Sequence, residues 1–267
     1  MQKLINDLLN SDNEAYHADS TRLSSSNIKQ ILKSPRDFYQ EKILGNYKQQ
    51  PERDVFSEGS FTHTLILEAD KVSQYAVYPG LRKQGAHWED FKAANKGKTI
   101  LSMPQVNRCE SWAKAALSLA ATKEMLKSGI PEHTMLGEVL GVPCKARADW
   151  ICPASGFIMD VKTTSSPPDK ESFSLAIEQY EYALSAALYC ELARQTYGKL
   201  FNFYFLAISK QQKYARIYKA SSDLLSYGTA RMTKGLVLYK KCKESNIWDL
   251  EQPNKDFSTL TEEIEEV

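Results

Sequence analysis

Cys144-Lys-Ala-Arg-Ala-Asp-Trp-Ile-Cys152, the turn Pro153-Ala-Ser-Gly156 and then Phe157-Ile-Met-Asp-Val-Lys-Thr163 form the stretch that decides the fold. Side chains two apart on a strand share a face. Lys145, Arg147 and Asp149 therefore point one way, and Cys144, Ala146, Ala148 and Trp150 the other. In the second segment Ile158, Asp160 and Lys162 oppose Phe157, Met159 and Val161. The period of two with an apolar face predicts two strands, 144–152 and 157–163, joined by the Pro/Gly turn. The same alternation predicts an earlier strand at about 135–141, with Gly141-Val-Pro143 as its turn.

Outward from this meander the period becomes helical. Downstream, an alanine-rich helix is expected over about 172–196, strands at Phe201–Ile208 and Tyr214–Tyr218, and a last helix over about 221–243. Upstream, Leu23-Ser-Ser-Ser begins a serine-capped helix that stops before Pro35, and Arg36–Leu44 forms a second. Further helices are expected around Gly59–Leu67 and 105–126, while 78–100 reads as a basic, turn-rich segment. The order predicts an α/β domain, a central mixed sheet flanked by helices. Its boundaries would be 1–243, with an N-terminal helical part at about 16–130 and a sheet core at about 131–220.

The chemistry lies on the charged face. Antiparallel pairing could bring Asp149 beside Asp160 and Lys162, with Glu138 joining from the preceding strand. Converging carboxylates are costly unless neutralised, and an all-oxygen site suits Mg²⁺, with Mn²⁺ as a substitute. Such an ion activates water and polarises a phosphodiester. A surface strand pair with cross-strand ion pairs is the other reading of the same spacing.

These residues resemble the core of the RecE-type (exonuclease VIII) family of PD-(D/E)XK nucleases. The resemblance rests on Glu138, Lys145-Ala-Arg-Ala-Asp149-Trp and Asp160-Val-Lys-Thr-Thr164. Further blocks occur in the same order: Leu23-Ser-Ser-Ser-Asn with Ser34-Pro35, Gly59-Ser-Phe-Thr-His63-Thr-Leu, Gly85-Ala-His-Trp88 with Gly97-Lys98-Thr, and Tyr182 with Ala186-Ala-Leu-Tyr189. The resemblance implies a PD-(D/E)XK core and Mg²⁺-dependent 5′→3′ digestion of linear double-stranded DNA, leaving 3′ tails for phage-type or prophage recombination. It implies a ring-shaped homo-oligomer and a single-strand annealing (RecT-type) partner. Asp149, Asp160, the Val161 carbonyl, His63 and Glu138 would hold metal, and Lys162 and Tyr189 would serve catalysis. An endonuclease or nickase with the same site, or a DNA-binding subunit of weakened activity, are the alternatives. Ser185 stands where the family usually carries a glutamine, so its part in positioning DNA is the departure to follow. No cysteine stands at the Ser34 position, which sets the chain apart from iron–sulfur relatives.

Arg147 shares the acid-bearing face and could contact phosphate, or pair with Glu138 or Asp149. Arg82, Lys83 and Lys98, with Trp88 between them, could follow a DNA backbone or form a solvated loop. Overall charge is +1, unevenly placed. Residues 244–267 hold eight acids against Lys255, leaving 33 basic and 25 acidic residues, a net +8, in 1–243. A basic body with an acidic, solvated tail is compatible with a polyanion. Five cysteines without a CxxC pair read as reduced, buried thiols. No apolar run is long enough to cross a membrane, so a cytoplasmic protein is expected.

Overall fold

A computed structural model describes residues 13–46, 54–80 and 82–249. The expected acidic tail therefore lies, from residue 250 on, outside the described residues.

The chain opens with α1 (Asn13–Ala18) and α2 (Ser25–Lys33). Ser24 caps α2 in a reciprocal box with Asn27, which settles two amide groups that a helix start leaves unpaired. Pro35 then starts α3 (Pro35–Phe38), which runs into a π-helical turn at Tyr39–Ile43. Helix α4 (Asp54–Leu67) follows. The segment expected to be only turns folds instead as β1 (Tyr75–Tyr78), α5 (Ala86–Ala94) and β2 (Thr99–Ser102), with β1 and β2 paired in parallel. The helix expected at 105–126 is broken at Leu119 into α6 (Met103–Ser118) and α7 (Ala120–Met125).

The five-stranded sheet runs β3 (Ile130–Val139), β4 (Val142–Cys152), β5 (Phe157–Thr164), β6 (Asn202–Ser209), β7 (Ala215–Lys219) in spatial as well as chain order. All neighbours are antiparallel except β5 and β6, whose parallel pairing needs the crossover α8 (Lys170–Gln179) and α9 (Tyr182–Tyr197). Helix α10 (Ser222–Ser245) closes the fold and includes Glu244 of the expected tail.

One core joins α2, α8, α9 and α10 to a sheet face through Ile28, Phe173, Leu184, Met232, Ala146 and Phe203. The other joins α4 and α6 to the opposite face through Phe61, Trp112, Met159 and Val161. The mixed sheet flanked on both sides is thus as expected. No helix among the described residues is long and apolar enough to cross a membrane.

What positions the site is a split in this sheet. β4 and β5 pair only through Trp150–Met159, Ile151–Ile158 and Cys152–Phe157. Beyond those three pairs the strands part. The freed edge of β4 is taken up by the N-terminal segment: Leu23 donates to the Pro143 carbonyl at 2.9 Å and accepts from the Lys145 amide at 2.9 Å. Lys145, 3% exposed, ties that segment down by donating to the carbonyls of Tyr16 and Asp19. Burial lowers its pKa, and Asp19 opposes that shift.

Candidate active site

Asp149 stands where β4 leaves β5, and its Oδ2 accepts the Val161 amide at 2.7 Å. The carboxylate thus replaces a ladder bond that the split removed, which fixes its orientation. Side-chain alternation also breaks here. Cys144, Ala146 and Ala148 lie in the first core, yet Trp150 lies in the second and Ile151 returns to the first. The partner strand is distorted at the same level, because Glu132 takes a left-handed φ of 47°. Such a backbone is costly for a residue with a Cβ. The strict alternation expected through Trp150 therefore fails at the point that carries the acid.

The register corrects the first-strand acid. Pro131 pairs with Trp150 and His133 with Ala148, so Glu132 lies across from Asp149. Glu138 pairs with Pro143, six residues further along β3 and exposed, about 20 Å from that level. It does not join the acids. The cause is the strand's start: β3 begins at Ile130 rather than 135. Its first residues contain Pro131, which reads as a breaker but is tolerated near a strand end.

Across the split, Asp160 and Lys162 project from β5. Lys162 Nζ lies 2.5 Å from Asp160 Oδ2, a carboxylate oxygen that is enclosed and has no well-aligned hydrogen bond. Burial raises the pKa of Asp160; Lys162 opposes this and Asp149 adds to it. For Lys162, burial disfavours the ammonium, but Asp160 and Asp149 outweigh it and hold the pKa above that of an ordinary lysine. Lys162 is therefore a fixed cation and hydrogen-bond donor at neutral pH, not a free base.

His63 reaches in from α4, its Nδ1 3.5 Å from Asp149 Oδ2. Ligand atoms of His63, Glu132 and Asp149 all fall within 4.8 Å of one another. Burial and the charge of Asp149 push Glu132 up to about 7, although Arg147 donates to it at 3.0 Å. Arg147 accordingly pairs with Glu132, not with Glu138. Two or three clustered acids, one enclosed carboxylate oxygen and an imidazole fit a divalent cation, which would offset the burial and repulsion that raise these pKa values. Asp149, Glu132 and His63 would hold it, with Asp160 adjoining. When bound, such an ion supplies Lewis-acid activation of water and of a phosphoryl oxygen. Val161 contributes its amide to Asp149, and its side chain is buried in the second core.

Tyr182, Ser185 and Tyr189 lie at i, i+3 and i+7 on α9 and share a face. The Tyr182 ring lies 5.2 Å from Lys162 Nζ. Tyr189 lines a cleft with Arg147, Glu132, Arg22 and Ser24. Burial, Tyr16 and the two aspartates raise its pKa well above the usual value. Ser185 is buried between these tyrosines, one turn from each.

The basic segment lies around α5, between strands β1 and β2 that pack on the second core. Arg82 and Lys98 are exposed, and Lys83 donates to the Ile100 carbonyl at 3.1 Å with its Nζ 5.9 Å from the Trp88 ring. Trp88 packs edge-on against Tyr78 at 5.0 Å. Through these contacts Lys83 and Trp88 are held to β2 and β1.

Sequence reasoning missed Glu132 and also Lys29. Lys29 of α2 sits 5.6 Å from the Tyr182 ring, and burial together with Lys162 pushes its pKa down to about 8. An acid within an Ile/Thr/Met run was the signal for Glu132; Lys29 left none, because only the docking of α2 brings it here.

A mixed sheet split around paired aspartates and a lysine defines a PDDEXK-like protein. Residues 24–252 match the PDDEXK-like domain of unknown function DUF3799, and the chain belongs to that family. A crystal structure of a "putative exonuclease" from Eubacterium rectale has the same fold, with a TM-score of 0.66 and 17% identity over 89% of this chain and 88% of that one. The structure of SSO0001 is more distant, at 12% identity over 87% and 83% of the two chains and a TM-score of 0.36. No curated protein matches the chain.

Proposed function

We propose that the protein is a Mg²⁺-dependent nuclease that digests linear double-stranded DNA from its ends. The observation that carries this reading is the convergence of Asp149, Glu132 and His63 beside the Asp160–Lys162 pair. Carboxylates whose repulsion calls for a divalent cation, next to a permanently charged lysine, suit hydrolysis of an anionic phosphodiester. An oxygen-rich donor set favours Mg²⁺ or Mn²⁺ over thiophilic metals.

The cleft beyond Arg147 is lined by Arg22, Lys42 and Arg147, with Asp19 and Glu132 paired to the two arginines, and these cations support a polyanionic substrate. Arg82, Lys83, Trp88 and Lys98 are the proposed contacts to the DNA backbone. The 5′→3′ direction, the 3′-tailed product, the homo-oligomeric ring, the annealing partner and the cytoplasmic recombination role rest on the RecE-type resemblance.

End-labelled linear duplex and covalently closed plasmid, each incubated with Mg²⁺, form the test. Labelled nucleotides should be released from the linear duplex and the closed circle left intact. Asp160→Ala should abolish release, by roughly three orders of magnitude or more. Cutting of the closed circle would overturn action from ends, and unchanged activity in Asp160→Ala would overturn the site.

A further inference from the structure

Tyr180 and Tyr182 are two residues apart, a spacing at which helical side chains do not face each other. Here their rings stack, with centroids 5.5 Å apart and planes inclined by 25°. The residue between them makes this possible. Glu181 adopts left-handed dihedrals (φ 50°, ψ 45°), which separates α8 from α9, and its carboxylate is held by Arg231 of α10. A strained residue fixed by an ion pair is thus what presents the ring pair.

The two rings differ in their surroundings. Tyr182 packs against Phe173 and Phe205 and lies over Lys162. Tyr180 is 53% exposed. It opens into the cleft that also holds Lys162, His63, Gln179 and Lys210. An exposed aromatic ring at that place contributes little to the core, and it extends a π surface outward from the lysine of the site.

We infer that Tyr180, stacked on Tyr182, is a platform for an unpaired nucleobase next to the phosphodiester held at Lys162. This deepens the nuclease reading and rests on it. A base in a duplex is already stacked on both faces, so the platform selects a nucleotide freed from its neighbours, as at a frayed end. The cations Lys162 and Lys210 favour the phosphates on either side of such a base, and stacking on tyrosine is indifferent to base identity. Broad sequence tolerance with a preference for unpaired terminal nucleotides follows.

The test uses 2-aminopurine, whose fluorescence falls when it stacks on an aromatic ring, at the terminal position of a duplex in EDTA. The wild-type protein should quench it saturably, and Tyr180→Phe should do the same. Tyr180→Ala should lose the quenching and bind the end roughly tenfold more weakly, while unfolding at the wild-type temperature because the ring is half exposed. Equal quenching and affinity in Tyr180→Ala, or no quenching by the wild type, overturns the platform. Cleavage in Mg²⁺ is scored separately. A wild type that quenches but never cuts would refute the nuclease reading alone, and one that cuts without quenching would refute the platform alone.

Discussion

Glu132→Gln removes one charge from the metal-free acid cluster while keeping an oxygen that can accept from Arg147. The Glu132 carboxyl rises from 4.5 to about 7 because burial and Asp149 disfavour its charge. At about 1.36 kcal/mol per pH unit, that shift corresponds to roughly 3 kcal/mol at most. Solvent around a side chain that is 24% exposed trims the figure to about 2 kcal/mol. The native state holds this proton more tightly than the unfolded chain does, so stability falls as pH rises from about 4.5 to about 7. Below that window the penalty is absent, and above it the penalty is complete. Urea unfolding in EDTA should therefore find Glu132→Gln equal to wild type near pH 4.5 and about 2 kcal/mol more stable near pH 7.5. In a thermal melt this is roughly 4–8 °C. Mg²⁺ should stabilise the wild type at the higher pH and the Gln variant much less, since bound metal neutralises a carboxylate charge that Gln does not carry. A wild-type-minus-variant difference that stays constant across this pH range would refute the assignment of Glu132 to the cluster.

Three further outcomes follow from particular contacts. Glu138→Ala should leave nuclease activity within about twofold of wild type, measured on end-labelled duplex, because Glu138 is exposed and paired opposite Pro143. Gly228→Ala should destabilise by about 2–3 kcal/mol or prevent folding, read by urea unfolding; its Cβ would sit 2.0 Å from the Ala183 carbonyl oxygen, where α10 crosses α9. Lys145→Met should cost about 2–3 kcal/mol and speed proteolysis near residues 13–24, because it leaves the carbonyls of Tyr16 and Asp19 without their donor.

Alternation is a local property, and it was enough to place Asp149, Asp160 and Lys162 on strands joined by a tight turn. The serine cap before α2 and the alanine face of α9 were legible for the same reason, since each depends on residues within a turn or two of one another. Register is not local. Which acid of β3 meets Asp149 depends on where pairing with β4 begins, and Pro131 masked the first five residues of that strand. The apolar pattern therefore favoured Glu138, whereas the observed pairing presents Glu132 through a left-handed backbone that no periodicity announces. His63 was singled out from its sequence block, but its approach to Asp149 required α4 to pack on the second core. Lys29 and the Tyr180–Tyr182 stack lay beyond sequence reading altogether, because they arise where helices dock and where Glu181 breaks one helix from the next. The sequence by itself determined the two strands and the acids they carry. The tertiary structure decided how those strands part and what enters the gap, because backbone bonds released from one partner must be satisfied by another. At Asp149 that partner is the side-chain carboxylate itself.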